Sequence, residues 1–357
     1  MTQSIEALAV TKIPTGIPGF DFIANGGLPR GRTTLLAGSA GSAKTIFACQ
    51  FLAEGIVQSK ESGVFVTFEE RPADLRRNMV SFGWDISSWE ADDAWAFVDA
   101  SPDTSHDVTL AGDFDFGALL ARVEYAIRRT NAKRVALDSI GAIFTQFENS
   151  SRIRFELFRI AAGLREMGVT AILTAERVQE FGEIARHGIE EFVADNVIIL
   201  RNVLEQEKRR RTMEILKFRG TNHHKGEYPF TVMPSSGIIV IPISAIELKQ
   251  RSSNVRITSG NEELDEMCGG GVFRDSVILV SGATGTGKTL LVTHFVEGGA
   301  AAGERCLLFA YEESREQLGR NAIGWGIDLD RLEAEGKLKV ICEYPEAASL
   351  EDHLVLI

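Results

Sequence analysis

The chain has 357 residues, of which 44% are hydrophobic and 25% are charged, a composition typical of a globular protein with about two domains. Its formal net charge of −12 argues against a protein that coats nucleic acid by bulk electrostatics. No apolar run approaches the roughly 18 residues that span a bilayer, and the N-terminus lacks a signal-peptide pattern. Because the four cysteines form no C-x-x-C pair either, we expect a cytoplasmic protein with reduced thiols.

The first informative element is a glycine-rich loop between a predicted strand at Arg32–Ala37 and a predicted helix at Thr45–Glu54. Residues 38–45 read GSAGSAKT, the phosphate-binding pattern G-x-x-x-x-G-K-[ST] with alanine in place of the last glycine. In such a loop, backbone N–H groups surround phosphate oxygens, the lysine reaches the β- and γ-phosphates, and the next hydroxyl binds Mg²⁺. We therefore predict that Mg²⁺ is bound by Thr45 and ATP by Gly38, Ser39, Gly41, Ser42, Ala43, Lys44 and Thr45.

The alanine at position 43 leaves two interpretations of this loop open. If the position requires a positive φ, the Cβ atom costs about 1–2 kcal/mol, or roughly tenfold in affinity. Because Lys44 and Thr45 are both present, we predict that the loop still binds ATP. The alternative is a decayed loop that no longer binds nucleotide.

Two further predicted strands carry carboxylates at their ends. The strand Gly63–Phe68 runs into Glu69 and Glu70, and the strand Arg134–Ile140 carries Asp138 after three apolar residues. A carboxylate at the end of a buried strand near the loop is the usual magnesium-organising group, so Asp138 is a predicted metal ligand. ATP hydrolysis needs a base, and two adjacent carboxylates raise the pKa of one of them, so Glu69 and Glu70 are predicted catalytic residues. The alternative is a solvated acidic turn.

Strands that alternate with helices predict a mostly parallel sheet covered on both faces, which places this part of the chain in the α/β class. Antiparallel strands are predicted to extend the sheet at its edge. The remaining predicted elements are helices at Phe116–Arg129 and Arg154–Gly168, parallel strands at Thr170–Ala175 and Asn196–Leu200, and antiparallel runs at Arg209–Phe218 and Phe230–Ile241.

Residues 217–225 (KFRGTNHHK) gather cations after the first antiparallel run. Such a cluster suits phosphates, either of its own nucleotide or of a neighbouring subunit's, but a solvated edge strand is also commonly basic. Spacing alone does not decide between these readings. If the strand persists, alternation places on one face Lys217, Arg219, Thr221, His223 and Lys225. The nearby run Lys208–Arg211 is interpreted as a solvated or intersubunit turn.

A second copy of the loop lies at residues 282–289, which read GATGTGKT and match the pattern in full. A predicted strand at Val277–Ser281 precedes it, and a predicted strand at Cys306–Tyr311 ends in a second Glu–Glu pair. A further strand is predicted at Leu338–Cys342. This long repeat indicates duplicated domains. The predicted residues of this copy are, for ATP, Gly282, Thr284, Gly285, Thr286, Gly287, Lys288 and Thr289, for Mg²⁺ Thr289, and for catalysis Glu312 and Glu313.

The repeat predicts a complete first domain at residues 1–247, a linker at 248–257 and the N-terminal part of a second copy at 258–357. The second copy has no counterpart of the strand that carries Asp138. We therefore expect a two-domain nucleotide-binding protein whose sequence stops inside its second domain.

Several strings are more specific than the phosphate-binding pattern, among them GVFVTFEE, RVALDSI, RGTNHHKGEYPF, LDEMCGGG and GATGTGKTLLV. Through them the sequence resembles the KaiC family, the RecA-like ATPases and autokinases of the cyanobacterial circadian clock and their bacterial relatives. The resemblance implies a RecA-like P-loop NTPase fold with a central, mostly parallel sheet flanked by helices. It also implies a double-ringed homohexamer that binds ATP between its subunits.

By this resemblance, Lys44 and Thr45 would hold phosphates and magnesium in the first ring, with Glu69 or Glu70 as the hydrolytic base. The family implies matching roles in the second ring for Lys288, Thr289, Glu312 and Glu313, and contact with a neighbour's nucleotide for Lys217, Arg219, His223 and Lys225. Full-length members are Ser/Thr autokinases in circadian-type or related signalling, with KaiB-like or other signalling partners. Their phosphorylated Ser/Thr pair lies later in the second domain, so this chain is expected to lack that region.

Two other functions remain open on the sequence. One is a non-kinase, ATP-switched hexameric scaffold whose nucleotide state controls the docking of partners. The other is a RecA- or helicase-type DNA-dependent ATPase. The acidic charge and the missing interleaving of aromatic and basic residues disfavour it, so nucleic acid is not an expected partner.

Overall fold

A computed structural model describes residues 10–101, 115–144, 150–182, 184, 193–205, 207–242, 252–344 and 350–356. The chain divides into two compact units, Met1–Ile246 with Glu351–Ile357, and Glu247–Leu350. The strands of the first unit are β1 (Lys12–Ile13), β2 (Leu28–Pro29), β3 (Thr33–Gly38), β4 (Gly63–Thr67), β5 (Trp95–Asp99), β6 (Arg134–Asp138), β7 (Thr170–Glu176), β8 (Asn196–Glu205), β9 (Lys208–Phe218), β10 (Glu227–Met233) and β11 (Gly237–Val240). The α-helices described before residue 200 are α1 (Phe20–Ile23), α2 (Lys44–Glu54), α3 (Pro72–Met79), α4 (Ile86–Ala91), α5 (Phe116–Thr130), α6 (Gly141–Phe144) and α7 (Ser150–Glu166).

The described elements that follow begin with β12 (Arg256–Ile257), α8 (Glu262–Met267) and β13 (Val272–Phe273). They continue through α9 (Lys288–Ala301), β14 (Cys306–Ala310), α10 (Arg315–Gly324), α11 (Leu329–Ala334), β15 (Leu338–Cys342) and α12 (Leu350–Leu356). None of the helices in the described part of the chain has the length and apolar character needed to cross a lipid bilayer.

The first unit is built on a nine-stranded sheet in the order β11-β10-β9-β8-β3-β7-β6-β4-β5. The six strands from β8 to β5 are parallel, and β9, β10 and β11 continue the sheet in antiparallel pairing. This arrangement confirms the predicted α/β class and the predicted antiparallel extension. The run Phe230–Ile241 proves to be a hairpin of two strands, β10 and β11, rather than one strand.

Both faces of this sheet are covered by packed side chains. Successive residues of β3 point to opposite sides and therefore enter different core clusters. Leu36 belongs to a core cluster with Phe47 and Phe51 of α2. Leu35 belongs to a separate cluster with Val123 of α5 and Leu157 of α7. The strand that leads into the first glycine-rich loop is therefore fixed on both faces as well as on both edges.

The end of α2 that lies away from the loop is bonded to β6 through a buried arginine. The side chain of Arg134 is 1% exposed, and it donates to Glu61 Oε2 at 2.8 Å and to the carbonyl of Phe51 at 3.0 Å. A Cβ atom on Gly55 would lie 2.5 Å from Arg134 Cδ, so only glycine fits beside the guanidinium. The carboxylate of Glu61 compensates the buried charge.

The second unit contains the parallel pair β14–β15, the antiparallel pair β12–β13 and a small core. The strand predicted at Val277–Ser281 is wrong, because this backbone is irregular and Val277 and Leu279 are 100% and 90% exposed. In the first unit, β3 is paired on both edges, by β7 and β8. The described residues of the second unit contain no counterpart of either neighbour, and a strand without a ladder is not stable. Two residues assigned by sequence to the linker, Arg256 and Ile257, form β12.

Candidate functional site

The first glycine-rich loop joins the carboxyl end of β3 to the N-terminus of α2, and it brings the predicted residues of the loop together. Lys44 Nζ donates to the carbonyl oxygens of Gly38 at 2.9 Å and Ser39 at 3.0 Å. Burial lowers the pKa of Lys44, and the nearby carboxylates, Asp138 first among them, oppose that shift. The hydroxyl of Ser42 also donates to the Ser39 carbonyl, at 2.8 Å. The loop therefore holds its lysine beside the backbone N–H groups of a helix N-terminus, an arrangement that suits an anion.

Ala43 adopts the left-handed backbone conformation, which favours glycine. Its φ is 70° and its ψ is 27°, immediately before the first residue of α2. The corresponding residue of the second loop, Gly287, has a φ of 88°. Position 43 therefore requires a positive φ, and the alanine carries a backbone strain of about 1–2 kcal/mol that glycine would not carry.

Thr45 of α2 meets Asp138 of β6, although β7 lies between β6 and the strand β3 that leads into the loop. Thr45 Oγ1 donates to Asp138 Oδ2 at 2.6 Å, and the hydroxyl of Thr174 on β7 donates to Asp138 Oδ1. A hydroxyl and a half-buried carboxylate are hard oxygen donors, which Mg²⁺ prefers together with phosphate oxygens and water. The residues present therefore fit a magnesium ion bound together with a nucleotide.

The two glutamates that follow β4 differ in their bonding. Glu70 Oε1 accepts a hydrogen bond from Asn78 Nδ2 at 2.6 Å, whereas Glu69 has no hydrogen bond or ion pair within the described residues. Glu69 is exposed, but partial desolvation raises its pKa, the charges of Glu176 and Asp138 raise it further, and Lys44 opposes the shift. Burial also raises the pKa of Glu70, against the Asn78 bond that lowers it. Glu69 is thus the carboxylate with free oxygens and an elevated proton affinity.

The sequence analysis missed four polar residues around this loop. Glu176 is the last residue of β7, and its place at the end of an apolar strand is the same sequence signal that points to Asp138. Glu180, Asn202 and Arg211 are bonded to residues of the loop but have no local pattern that points to it. Arg211 belongs to the run Lys208–Arg211, and the interpretation of that run as a turn is wrong, because it forms the start of β9.

The condition for a single face at residues 217–225 is not met, because β9 ends at Phe218 and the chain turns at Gly220 with a φ of 73°. The segment also starts at the end of the strands opposite to the loop. Phe218 pairs with Asn196 at the start of β8, whereas Gly38 of the loop pairs with Leu200, farther along β8. It is therefore remote from the loop of its own chain. Its side chains make other contacts: Lys217 donates to Ala194 O at 2.9 Å and Arg219 pairs with Asp195 at 3.4 Å.

The rest of that segment lies beyond the strand. Thr221 lines an open cavity of about 720 Å³ together with Lys12 and Asn222. His223 Nδ1 lies 3.0 Å from the carbonyl oxygen of His224, and the carbonyl of Lys225 accepts a hydrogen bond from Tyr228 at 3.0 Å.

The second loop repeats the internal geometry of the first. Lys288 Nζ donates to the carbonyls of Gly282 at 2.9 Å and Ala283 at 3.0 Å. Thr286 Oγ1 donates to the Ala283 carbonyl at 2.8 Å, as Ser42 does in the first loop. Thr284 and Gly285 complete the exposed turn.

The glutamate pair of this copy also repeats the first. Glu313 Oε2 accepts from Asn321 Nδ2 at 3.2 Å, and Glu312 is exposed. Thr289 Oγ1 donates to Glu313 at 3.3 Å, in place of the aspartate that Thr45 contacts.

A profile of the family described as "ATPase: KaiC" matches residues 13–245 and 257–353. The chain belongs to the KaiC family. The fold class predicted from the sequence, a RecA-like P-loop ATPase domain with a mostly parallel sheet, is confirmed by this match together with the observed strand order.

Named members of the KaiC family are similar over nearly all of the chain. The circadian clock protein KaiC3 of Synechocystis sp. is 64% identical over 352 residues, which are 99% of this chain and 70% of that protein. The circadian clock oscillator proteins KaiC of Parathermosynechococcus lividus and Thermostichus vulcanus are each 58% identical over 98% of this chain, which is 64% and 67% of their own lengths. The chain thus spans about two thirds of the length of these relatives.

Proposed function

We propose that the first unit binds and hydrolyses ATP with Mg²⁺. The observation that carries this proposal is the convergence of Lys44, Thr45 and Asp138 with the carboxylate of Glu69 at one edge of the sheet. Phosphoryl transfer requires mainly positioning and charge stabilisation, and these side chains offer a cation, a metal site and a base. The KaiC-family match supports the same reaction.

In this proposal each residue has a separate role. The backbone from Gly38 to Ala43 and the ammonium of Lys44 bind the phosphates. Thr45 and Asp138 hold Mg²⁺, which neutralises phosphate charge when bound. Glu69 takes a proton from the attacking water, and its raised pKa brings its proton affinity closer to that of a base working near neutral pH. Asn78 keeps Glu70 turned to one side.

We further propose that copies of the chain assemble into a homohexameric ring in which residues 217–225 contact the nucleotide of the adjacent copy. Support comes from the position of that segment at the edge of the sheet away from its own loop. A neighbouring copy can present its loop there, whereas the same copy cannot. The residues assigned to this contact are Lys217, Arg219, Thr221, His223 and Lys225.

The remaining assignments follow the family. We propose a first ATPase domain at residues 1–247, a linker within 248–257 and a second nucleotide-binding region at 258–357. The second loop would bind ATP through residues 282–289, with Mg²⁺ at Thr289 and with Glu312 and Glu313 as catalytic carboxylates. In a longer protein, Ser/Thr autokinase activity, circadian-type signalling in the cytoplasm and KaiB-like partners would accompany this core.

The deciding experiment measures ATP-dependent assembly and phosphate release on the chain and on its Lys44→Ala and Lys288→Ala variants. We expect hexamers with MgATP, a loss of turnover of about 10²-fold or more in Lys44→Ala, and most turnover retained in Lys288→Ala. Turnover that is equal in the parent and in Lys44→Ala would contradict an ATPase in the first unit. Stimulation by single-stranded DNA would favour a DNA-dependent motor instead.

A further inference from the structure

The tip of the first phosphate loop is bonded from outside by three side chains that have no role in the proposed reaction. One of them is Glu180, whose carboxylate accepts a hydrogen bond from the hydroxyl of Ser39. Its other oxygen accepts from the backbone N–H of Asn202 on β8 at 3.1 Å. Glu180 therefore joins the beginning of the loop to the neighbouring strand.

The other two side chains come from the hairpin formed by β8 and β9. The amide of Asn202 donates to the carbonyl of Ala40 at 3.4 Å, and Arg211 Nε donates to the carbonyl of Gly41 at 3.2 Å. Asn202 and Arg211 face each other in the register of the two strands, and Asn202 is only 5% exposed. Three consecutive loop residues are thus bonded to three different side chains. We call these side chains, Glu180, Asn202 and Arg211, the outer brace.

The outer brace acts on the loop at the residue that also holds the lysine. The carbonyl of Ser39 accepts from Lys44 Nζ at 3.0 Å and from the Ser42 hydroxyl at 2.8 Å. A fixed Ser39 therefore fixes the resting position of Lys44. In the second loop, by contrast, no side chain from beyond the loop and its helix is bonded to residues 282–285 within the described part.

The two loops also differ in how much backbone strain they carry. Ala43 is held at a φ of 70°, whereas its counterpart is glycine. A side-chain-bearing residue persists in this conformation only where the surrounding structure over-determines it. The strained loop is the one that has the outer brace.

We propose that Glu180, Asn202 and Arg211 are positioning residues that hold the first loop in its phosphate-binding shape against the strain at Ala43. This inference rests on the proposed function, because it concerns the affinity of the same loop for nucleotide. It requires the brace and Ala43 to be coupled. With glycine at position 43 the loop keeps its shape without the outer brace, so loss of the brace has little effect on affinity. With Ala43, loss of the brace lowers the fraction of molecules whose loop can bind phosphate, and the affinity for nucleotide falls with that fraction.

The test is a double-mutant cycle on the full chain, with Lys288→Ala present throughout to silence the second loop. Binding of MgATP is measured by calorimetry for Glu180→Ala and Arg211→Met, each combined with Ala43 and with Ala43→Gly. We expect each brace variant to weaken binding about five- to tenfold with Ala43 and less than about twofold with glycine. Glu180→Ala is the more informative variant, because removing a negative charge near Lys44 would by electrostatics alone tighten ATP binding.

Matched controls come from the same hairpin, where Glu205 and Arg210 form an exposed pair at 3.8 Å. Glu205→Ala and Arg210→Met make the same charge changes without touching the loop, and they should leave affinity as in the parent. Equal losses in both backgrounds, or tighter binding in Glu180→Ala, would overturn the inference.

A second readout needs no nucleotide. Hydrogen exchange of the amides of residues 39–43 should be faster in Glu180→Ala with Ala43 and unchanged with Ala43→Gly. If the parent chain bound no ATP, the proposed function would fail, and the exchange experiment would still decide whether the brace holds the loop. Exchange that is equally fast in both backgrounds would refute the positioning role.

Discussion

The two phosphate loops of this chain have the same internal geometry in different surroundings. Each lysine donates to two loop carbonyls, at 2.9 and 3.0 Å in both copies. The strand before the first loop is buried between two neighbours, whereas the run before the second is unpaired and exposed. The second loop therefore takes this shape from its glycines and the helix that follows, whereas we propose that the first also depends on the outer brace. The rest of the site depends on strands that are distant in sequence.

The largest expected effect concerns the glutamate pair that both copies share. Glu69→Gln should lower the turnover number about 10²–10⁴-fold, because it removes the base but keeps the shape. Glu70→Gln should lower it about tenfold or less, because Glu70 is already bonded to Asn78. Single-turnover phosphate release at saturating MgATP measures both. In the second copy, Glu312→Gln should change the total turnover less than about twofold, because we expect the first unit to supply most of that turnover.

The next largest effect concerns the binding of magnesium at the first loop. Asp138→Asn should raise the Mg²⁺ concentration needed for half-maximal hydrolysis about 10- to 100-fold, because Thr45 loses its charged partner. Asp99→Asn is the matched control, since Asp99 ends β5 at the same edge of the sheet but is bonded to Ser101. A magnesium requirement that stays the same in Asp138→Asn would contradict the metal assignment.

A reciprocal exchange tests the strain at the two loops directly. Gly287→Ala should weaken ATP binding to the second loop roughly tenfold, because a Cβ atom there costs backbone energy without meeting any neighbour. Ala43→Gly should tighten binding to the first loop by only about two- to threefold, because the outer brace already offsets part of the strain. Each affinity is measured by calorimetry with the other loop silenced by a lysine-to-alanine change. Equal and opposite effects would mean that the brace contributes nothing.

The smallest effect is a shift in pH dependence. Glu69 works as a carboxylate, so its raised pKa means that activity is lost, as pH falls, earlier than for an ordinary glutamate. Glu176→Gln removes one of the charges that raise this pKa, so the acid limb of the kcat/KM profile should move to lower pH. Glu166→Gln, at the exposed end of α7, should leave the limb in place. An unmoved limb in Glu176→Gln would assign the titration to another group.

The sequence was sufficient for residues whose position follows from a local pattern. Asp138 and Glu69 were predicted because each lies where an apolar strand ends, and parallel strands bring those ends to one edge. Glu180, Asn202 and Arg211 were missed because they reach the loop from about 140 to 170 residues away. Long-range pairing of this kind leaves no periodicity that a sequence can display.

Two of the wrong predictions share a physical cause. Val277–Ser281 has the composition of a buried strand, but a strand also needs neighbours, and composition does not report them. The single face predicted for residues 217–225 assumed that β9 continues past Phe218, and Gly220 ends it. In both cases the local pattern was read correctly, and its continuation depended on the surrounding sheet.

The helix α2 is bonded to β6 near both of its ends. One hydrogen bond joins Thr45 to Asp138 at the loop, and the other joins the Phe51 carbonyl to Arg134 at the far end. Both join the same helix to the same strand, so the helix is prevented from sliding along β6. A third contact lies between these two, where the amide of Gln50 donates to the carbonyl of Ile238 at 3.2 Å. The helix that begins at the phosphate loop is therefore tied to the sheet at its start, its middle and its end.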